Sequence, residues 1–364
     1  PLATSNCMTC HVGPLLGKWV VGLGAHTRDF TRPAAPFILG GLFGVRSLAE
    51  WREYARWSDR ALGIAPYVRT TTRGLNPADH FAGYLWAHRD PETLEWLDEP
   101  TMRLPPTDPI LETDVPPLWR TAKKRNLYYT GGGRGEHARL IMSALVLFTD
   151  STDEAEREVP NFRDMLAFIR TIEPPRWPWP VDEAKAARGR RVFEGTCTPC
   201  HGTYGEVERY PELIVPIGIA GTDPLLAQAE DAATDYLDWY NRSWFGETSR
   251  LEHTDGYVAP PLDGIWATAP FLHNGSVPTL LDLLDSKRRP TYWTRSFDPE
   301  DYDREQVGWR FERLARGRDA HVLPSIRAAI YDTTRPGLSN GGHTFGDHLS
   351  EEQRLDLLEY LKTL

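Results

Sequence analysis

Two short cysteine motifs constrain this chain more than any other feature. Cys7-Met-Thr-Cys10-His11 and Cys197-Thr-Pro-Cys200-His201 share the form Cys-x-x-Cys-His, and together they use all four cysteines. In this spacing two thiols can add to the vinyl groups of a porphyrin while the adjoining histidine reaches its iron from the same turn. Each motif therefore reads as a covalent c-type haem attachment site, with His11 and His201 as axial ligands. A zinc ribbon or a pair of disulfides also uses paired cysteines, but either would put a histidine directly after both motifs only by accident. Two covalently bound haem c groups are the expected cofactors.

Length and composition bound what two haems can do. A chain of 364 residues is too long for one small cytochrome domain and suits two, each owning one haem. Hydrophobic residues make up 40% and charged residues 25%, the balance of a globular protein. No run of about 18 apolar residues is present to span a bilayer, so an integral membrane protein is not expected. A formal charge of -10 argues against nucleic acid and leaves room for a redox partner protein or a small-molecule electron donor. Covalent haem is attached after export, which points to a periplasmic or secreted location. Pro1 to Asn6 carry neither a charged nor an apolar signal region, so a signal has been removed or the numbering begins inside a longer chain. The second is expected, because c-type domains carry a helix before the haem motif and little chain precedes Cys7.

The expected fold is mainly α, with two cytochrome c-like domains and long irregular loops wrapped around the haems. The N-terminal domain covers 1–173, a Pro/Trp linker 174–181, and the C-terminal domain 182–364. Gly13 to Gly44 reads as loop. Ser47 and Glu50 form a capping box opening a helix to about Leu62, with Trp51 and Trp57 in the core. A second helix covers Pro77 to Ala87, and Pro91 to Pro117 is an irregular excursion. The three glycines before Arg134 suit backbone packed against a flat haem better than a phosphate loop. Helices follow over His137 to Phe148 and Asn161 to Ile172, the latter burying Phe162, Met165, Leu166, Phe168, Ile169 and Ile172. Four prolines between Pro174 and Pro180 make a stiff linker. Beyond it, helices are expected over Asp182 to Phe193, Asp223 to about Phe245, and Ser350 to Leu364. Leu355, Leu358 and Leu361 echo Phe162, Met165 and Phe168, a trace of internal duplication.

The stretch from Ala259 through Thr268, Pro270, His273 and Leu280 resembles the signature of the bacterial dihaem cytochrome c peroxidase superfamily, which includes the methylamine dehydrogenase maturation enzyme and the rubber oxygenases. Pro116-Pro-Leu-Trp119 is similar to its interhaem tryptophan motif. Asn340-Gly-Gly-His343-Thr-Phe-Gly resembles the rubber-oxygenase branch, whose members carry a long segment before the first motif. The resemblance covers most of the chain from Asp114 onward. It implies that His11 and His201 are proximal ligands and that Trp119 relays electrons between haems. It further implies that Thr268 and Pro270 help bind calcium through oxygen donors.

The four methionines are Met8, Met102, Met142 and Met165, so the C-terminal domain has none to give a His/Met haem. Histidine is the natural sixth ligand for the second haem, from among His253, His273, His321, His343 and His348. The resemblance and the neighbouring glycines favour His343, with His273 the runner-up and His348 at the surface. At the first haem the superfamily's peroxidases place a catalytic glutamate where this chain has Arg139 or Leu140. Glu136 or His137 could take its acid–base role. The departure fits oxygen activation better than ordinary peroxidase chemistry, with a nonpolar substrate in a pocket around Leu118, Tyr128 and Ile141. The expected function is an exported redox enzyme acting on dioxygen or peroxide at the first haem, with the second as electron-transfer centre. The alternative is a non-catalytic dihaem electron-transfer protein or subunit.

Overall fold

The computed structural model describes residues 7–108, 111–144, 149–232 and 234–364. Its helices are linked by long irregular stretches and by five small antiparallel sheets among the described residues.

Local signals set several helices where the chain chemistry asks for them. Over Leu48–Ile64 the Ser47 side chain accepts from Glu50 N while the Glu50 carboxylate reaches back to the Ser47 backbone, a complete capping box. Ser350 and Gln353 repeat it at the head of Glu351–Leu361. Asp182 caps Glu183–Thr196, which packs across Glu351–Leu361. Gly189 permits that crossing, since a Cβ there would lie 1.9 Å from the Asp356 carbonyl oxygen. Arg188 locks the crossing with a two-pronged pair to Asp356, at 2.7 and 2.6 Å.

Other segments depart from the sequence expectation. The helix expected from Asn161 begins at Thr152, capped by Ser151, and runs through Pro160 to Arg170. Proline removes one backbone bond. Buried Ala155 and Val159 before it and Leu166 and Ile169 after it lie on one face, and packing that face carries the helix through. Phe168 falls off the stripe and is 52% exposed. Trp51 is likewise on the surface, 46% exposed, while half-buried Trp57 borders the central cavity. Within 13–44, read as loop, lie a hairpin of Val12–Leu15 with Lys18–Val21 and a helix over Ala35–Gly40. The helix from His137 is described to Ser143, and 145–148 lie outside the described residues. In place of one helix to Phe245 there are Leu225–Ala232, Thr234–Arg242 and a 3-10 turn at Trp244–Glu247, with 233 outside the described residues.

Among the described residues three hydrophobic clusters hold the chain together, and each draws on both sides of the linker. Leu23, Trp119, Ile169 and Ile172 pack with Phe193, Leu262, Trp266 and Leu357. Ile64, Tyr84, Leu140 and Val159 pack with Trp239, Tyr240 and Phe245. Leu75 joins Trp293 and Tyr331. A strand pair crosses as well, Gly133–Gly135 running antiparallel to Ser249–Leu251. The linker is itself pinned: Trp266 Nε1 donates to Pro175 O at 3.0 Å, Trp177 stands edge-on to Trp266, and Trp179 stacks on Tyr302. The two segments are thus continuous in packing, although the prolines divide them in sequence.

Candidate functional site

Both cysteine motifs fold into the same single turn. In the first, Cys10 N and His11 N donate to Cys7 O at 3.2 and 3.1 Å; in the second, Cys200 N and His201 N donate to Cys197 O at 3.2 and 3.0 Å. The turn puts both thiols and the histidine of each motif on one side, and all four thiols are free.

The two turns open into one cavity. It has a volume of about 1920 Å³, and Cys7, Cys10, His11, Cys197, Cys200 and His201 all border it. A site for one small molecule typically occupies roughly 300–1,000 Å³, so this space suits two large planar groups. Its wall is largely apolar, with Leu118, Tyr128 and Ile141 all on it as expected. Tyr128 keeps 49% of its surface accessible although protein surrounds it, because that surface faces the cavity. Its hydroxyl is tied back to Leu140 O at 3.3 Å.

The chain brings His343 to His201. Their ring centroids lie 6.3 Å apart. An imidazole nitrogen binds a metal at roughly 2 Å, so two rings sharing one ion along an axis stand about 6 Å apart. His201 Nδ1 is held by Pro260 O at 2.8 Å, which leaves Nε2 for the cavity. Burial pushes His343 down to about 4 and lowers His201 too, so both are neutral at pH 7, the form that offers a lone pair. The loop carrying His343 is braced by Arg289, whose guanidinium donates to the carbonyls of Asn340, Gly342 and His343 at 2.6, 2.7 and 3.2 Å. His343 N donates to Ala220 O at 2.7 Å, and the residue takes a φ of 44°.

His273 borders the same cavity but not opposite His201. It is stacked on Tyr257 at 4.2 Å and flanked edge-on by Tyr129. His11 is pushed down to about 4 by burial. Among the described residues, no second imidazole faces it at the spacing seen for His201 and His343.

Trp119 is 2% exposed and borders the cavity, with Nε1 donating to Asp263 O at 2.8 Å. Gly264, at a φ of 66°, lies against the indole, where a Cβ would stand 3.4 Å from the ring and 2.4 Å from Pro174 Cβ. Thr268 and Pro270 also border the cavity, and the Thr268 hydroxyl donates to Ile265 O at 3.0 Å. Among the described residues no group of three or more histidines, cysteines or carboxylates gathers as a metal site.

Glu136 and His137 are not brought to the cavity wall. Burial alone would raise the Glu136 carboxyl, but hydrogen bonds from Thr248 and Arg163, with the charges of Arg163 and Arg139, outweigh it and hold it below the usual range. His137 Nε2 is engaged with Arg125 O at 3.0 Å. Arg139 turns away to lie over Trp244 at 3.7 Å, whereas Leu140 borders the cavity, so an apolar side chain stands there.

A family profile described as RoxA-like, cytochrome c-like matches residues 256–294, the stretch that carries Thr268, Pro270 and His273. That match relates the chain to the cytochromes c. The cytochrome relationship implies haem c and redox function, in keeping with the two motifs. Two proteins of Sinorhizobium fredii are also similar. Uncharacterized protein y4iM is 28% identical over 285 residues, spanning 69% of this chain and 64% of that protein. Uncharacterized protein y4iJ is 30% identical over 263 residues, spanning 53% of this chain and 41% of that protein. The chain therefore spans less than two thirds of the length of either relative.

Several residues at the site carry no motif. Lys124 sits in a Lys-Lys-Arg run that reads as solvated charge, yet it borders the cavity. Arg289 looks like a surface cation in sequence but braces the His343 loop. His80 and Asp114 also face the cavity. Only the pairing of distant segments exposes these roles.

Proposed function

We propose that the chain is an exported, periplasmic or secreted dihaem c-type cytochrome working as a redox enzyme. The first haem site acts on dioxygen or peroxide, and the second serves as the electron-transfer centre. The observation that carries this reading is the asymmetry of the two histidines, since His201 has His343 across from it and, among the described residues, His11 has no such partner. Covalent haem would supply reversible one-electron chemistry, and a haem held through His11 alone would have room to take up a small oxidant.

The chain's own residues supply the rest. Cys7 and Cys10 would tether the first group and Cys197 and Cys200 the second. Pro260 orients His201, Arg289 holds His343 in place, and buried Trp119 offers an aromatic path along the shared wall. The apolar wall excludes water and suits a nonpolar substrate. Leu140 stands at the wall where the superfamily's peroxidases place a glutamate, and Glu136 is held in ion pairs away from it, which favours dioxygen over peroxide. A calcium ion at Thr268 and Pro270 completes the reading, and chelation with a redox titration tests it.

The deciding experiment is mass spectrometry of the denatured chain for two retained haems, followed by carbon monoxide titration of the reduced protein. One haem site should bind carbon monoxide and the other should not. Failure at both sites would instead assign a plain electron-transfer protein.

A further inference from the structure

Lys123 and Lys124 are adjacent, yet their ammonium groups have opposite fates. Lys123 pairs with Glu208 and with Asp263, the latter at 2.9 Å. Lys124 follows the turn over Thr121–Lys123, anchored by its own N–H to Thr121 O at 3.1 Å, and enters the cavity wall. Only half-buried by accessibility, it is surrounded by protein, and the surface it keeps faces the cavity.

The carboxylate that attracts it is already engaged. Glu212 Oε1 accepts from Arg125 N and Asn126 N at 2.8 and 3.0 Å, and its Oε2 accepts from Arg125 Nε and Asn126 Nδ2 at 3.1 and 3.4 Å. Among the described residues, Lys124 makes no ion pair with Glu212 or any other carboxylate. Burial pulls its ammonium down to about 8, with Glu212 opposing the shift, so it remains charged at neutral pH. It is also close enough to His11 for its charge to add to the lowering that burial imposes there. A cation that faces the cavity without a direct carboxylate partner is stabilised by an anion placed there.

We propose that the Lys124 ammonium is the counter-ion for a carboxylate of the prosthetic group tethered by Cys7 and Cys10, fixing that group's acidic edge and raising its reduction potential. Haem c carries two propionate carboxylates, and an ion pair to one of them reduces the negative charge near the iron, which favours the reduced state. Lys124 is a positioning residue here, and its assignment rests on the haem reading of the first motif.

The test is a redox titration of the full-length holoprotein, with Lys124→Gln and Lys124→Arg beside the wild type. Lys124→Gln should lower the potential of the first haem alone, shifting electron sharing between the haems about tenfold, or about 59 mV for one electron. Lys124→Arg should restore it. Loss of the first haem in Lys124→Gln with retention in Lys124→Arg would equally support the pairing. An unchanged potential in a fully loaded Lys124→Gln would overturn it. So would a wild-type potential that tracks acetate concentration and ceases to in Lys124→Gln, since that assigns Lys124 to a diffusible anion. A wild type with no haem on Cys7 and Cys10 would instead sink the haem reading beneath it.

Discussion

Replacing His343 by glycine and by alanine separates ligation from backbone strain. At a φ of 44° the residue lies in the left-handed region, which costs a side-chain-bearing residue about 1–2 kcal/mol. Glycine removes that cost but loses roughly 0.5–1 kcal/mol through its freer unfolded chain, which leaves it about 1 kcal/mol more stable than alanine here. Both variants lose the edge-on contact with Phe345, at 5.2 Å and 89°, worth roughly 0.5–1.5 kcal/mol. His343→Gly should therefore lie near the wild type in a denaturant melt and His343→Ala about 1 kcal/mol below it. Electron paramagnetic resonance should show the same change in both: the second haem turns high-spin, and added imidazole restores the low-spin signal. If both variants stay low-spin while His273→Ala turns high-spin, His343 is not the ligand. If glycine gains nothing over alanine, the left-handed backbone is not maintained in solution.

Cys197→Ala should leave the first haem covalently bound and loosen only the second, read by mass spectrometry of denatured protein. Trp119→Phe should keep both haem spectra while slowing interhaem electron transfer after flash reduction; unchanged kinetics would make Trp119 a packing residue. Gly189→Ala drives a methyl into the Asp356 carbonyl and should destabilise the chain by about 1–3 kcal/mol in a thermal melt, without changing either haem spectrum. Steady-state assays with hydrogen peroxide and a small donor should give feeble turnover, because Leu140 stands where the peroxidases place their glutamate and Glu136 is paired with Arg163 away from the cavity.

What could be read from the sequence was local. The cysteine turns, the two capping boxes and the Asp182 cap are set by residues a few positions apart, and each forms as its chemistry requires. The placing of Leu118, Tyr128 and Ile141 at the cavity was also legible, since apolar and aromatic runs flank the Trp119 motif. The helix expected from Asn161 starts earlier, at Thr152, because an apolar face continuous on both sides of Pro160 outweighs the proline's local cost. Trp51 misled because an aromatic at helical spacing does not say which face finds a partner. Glu136 looked available in sequence, but Arg163 lies 27 positions away and Thr248 lies 112 away, and those contacts engage its carboxylate.

The same distance in sequence separates the parts of the site. His201 meets a histidine from the far C-terminal region, Trp119 is fixed by Asp263 and backed by Gly264, and Arg89 O receives Trp239 Nε1 from across the linker. If each segment owned a separate core, either could load and hold its group alone. Shared clusters and one cavity argue otherwise: removing the C-terminal segment would strip Leu262 and Trp266 from Trp119 and Phe245 from the Leu140 cluster, opening the first site to water. The two cysteine turns are thus coupled through packing, and a change that displaces the shared clusters is expected to be felt at both.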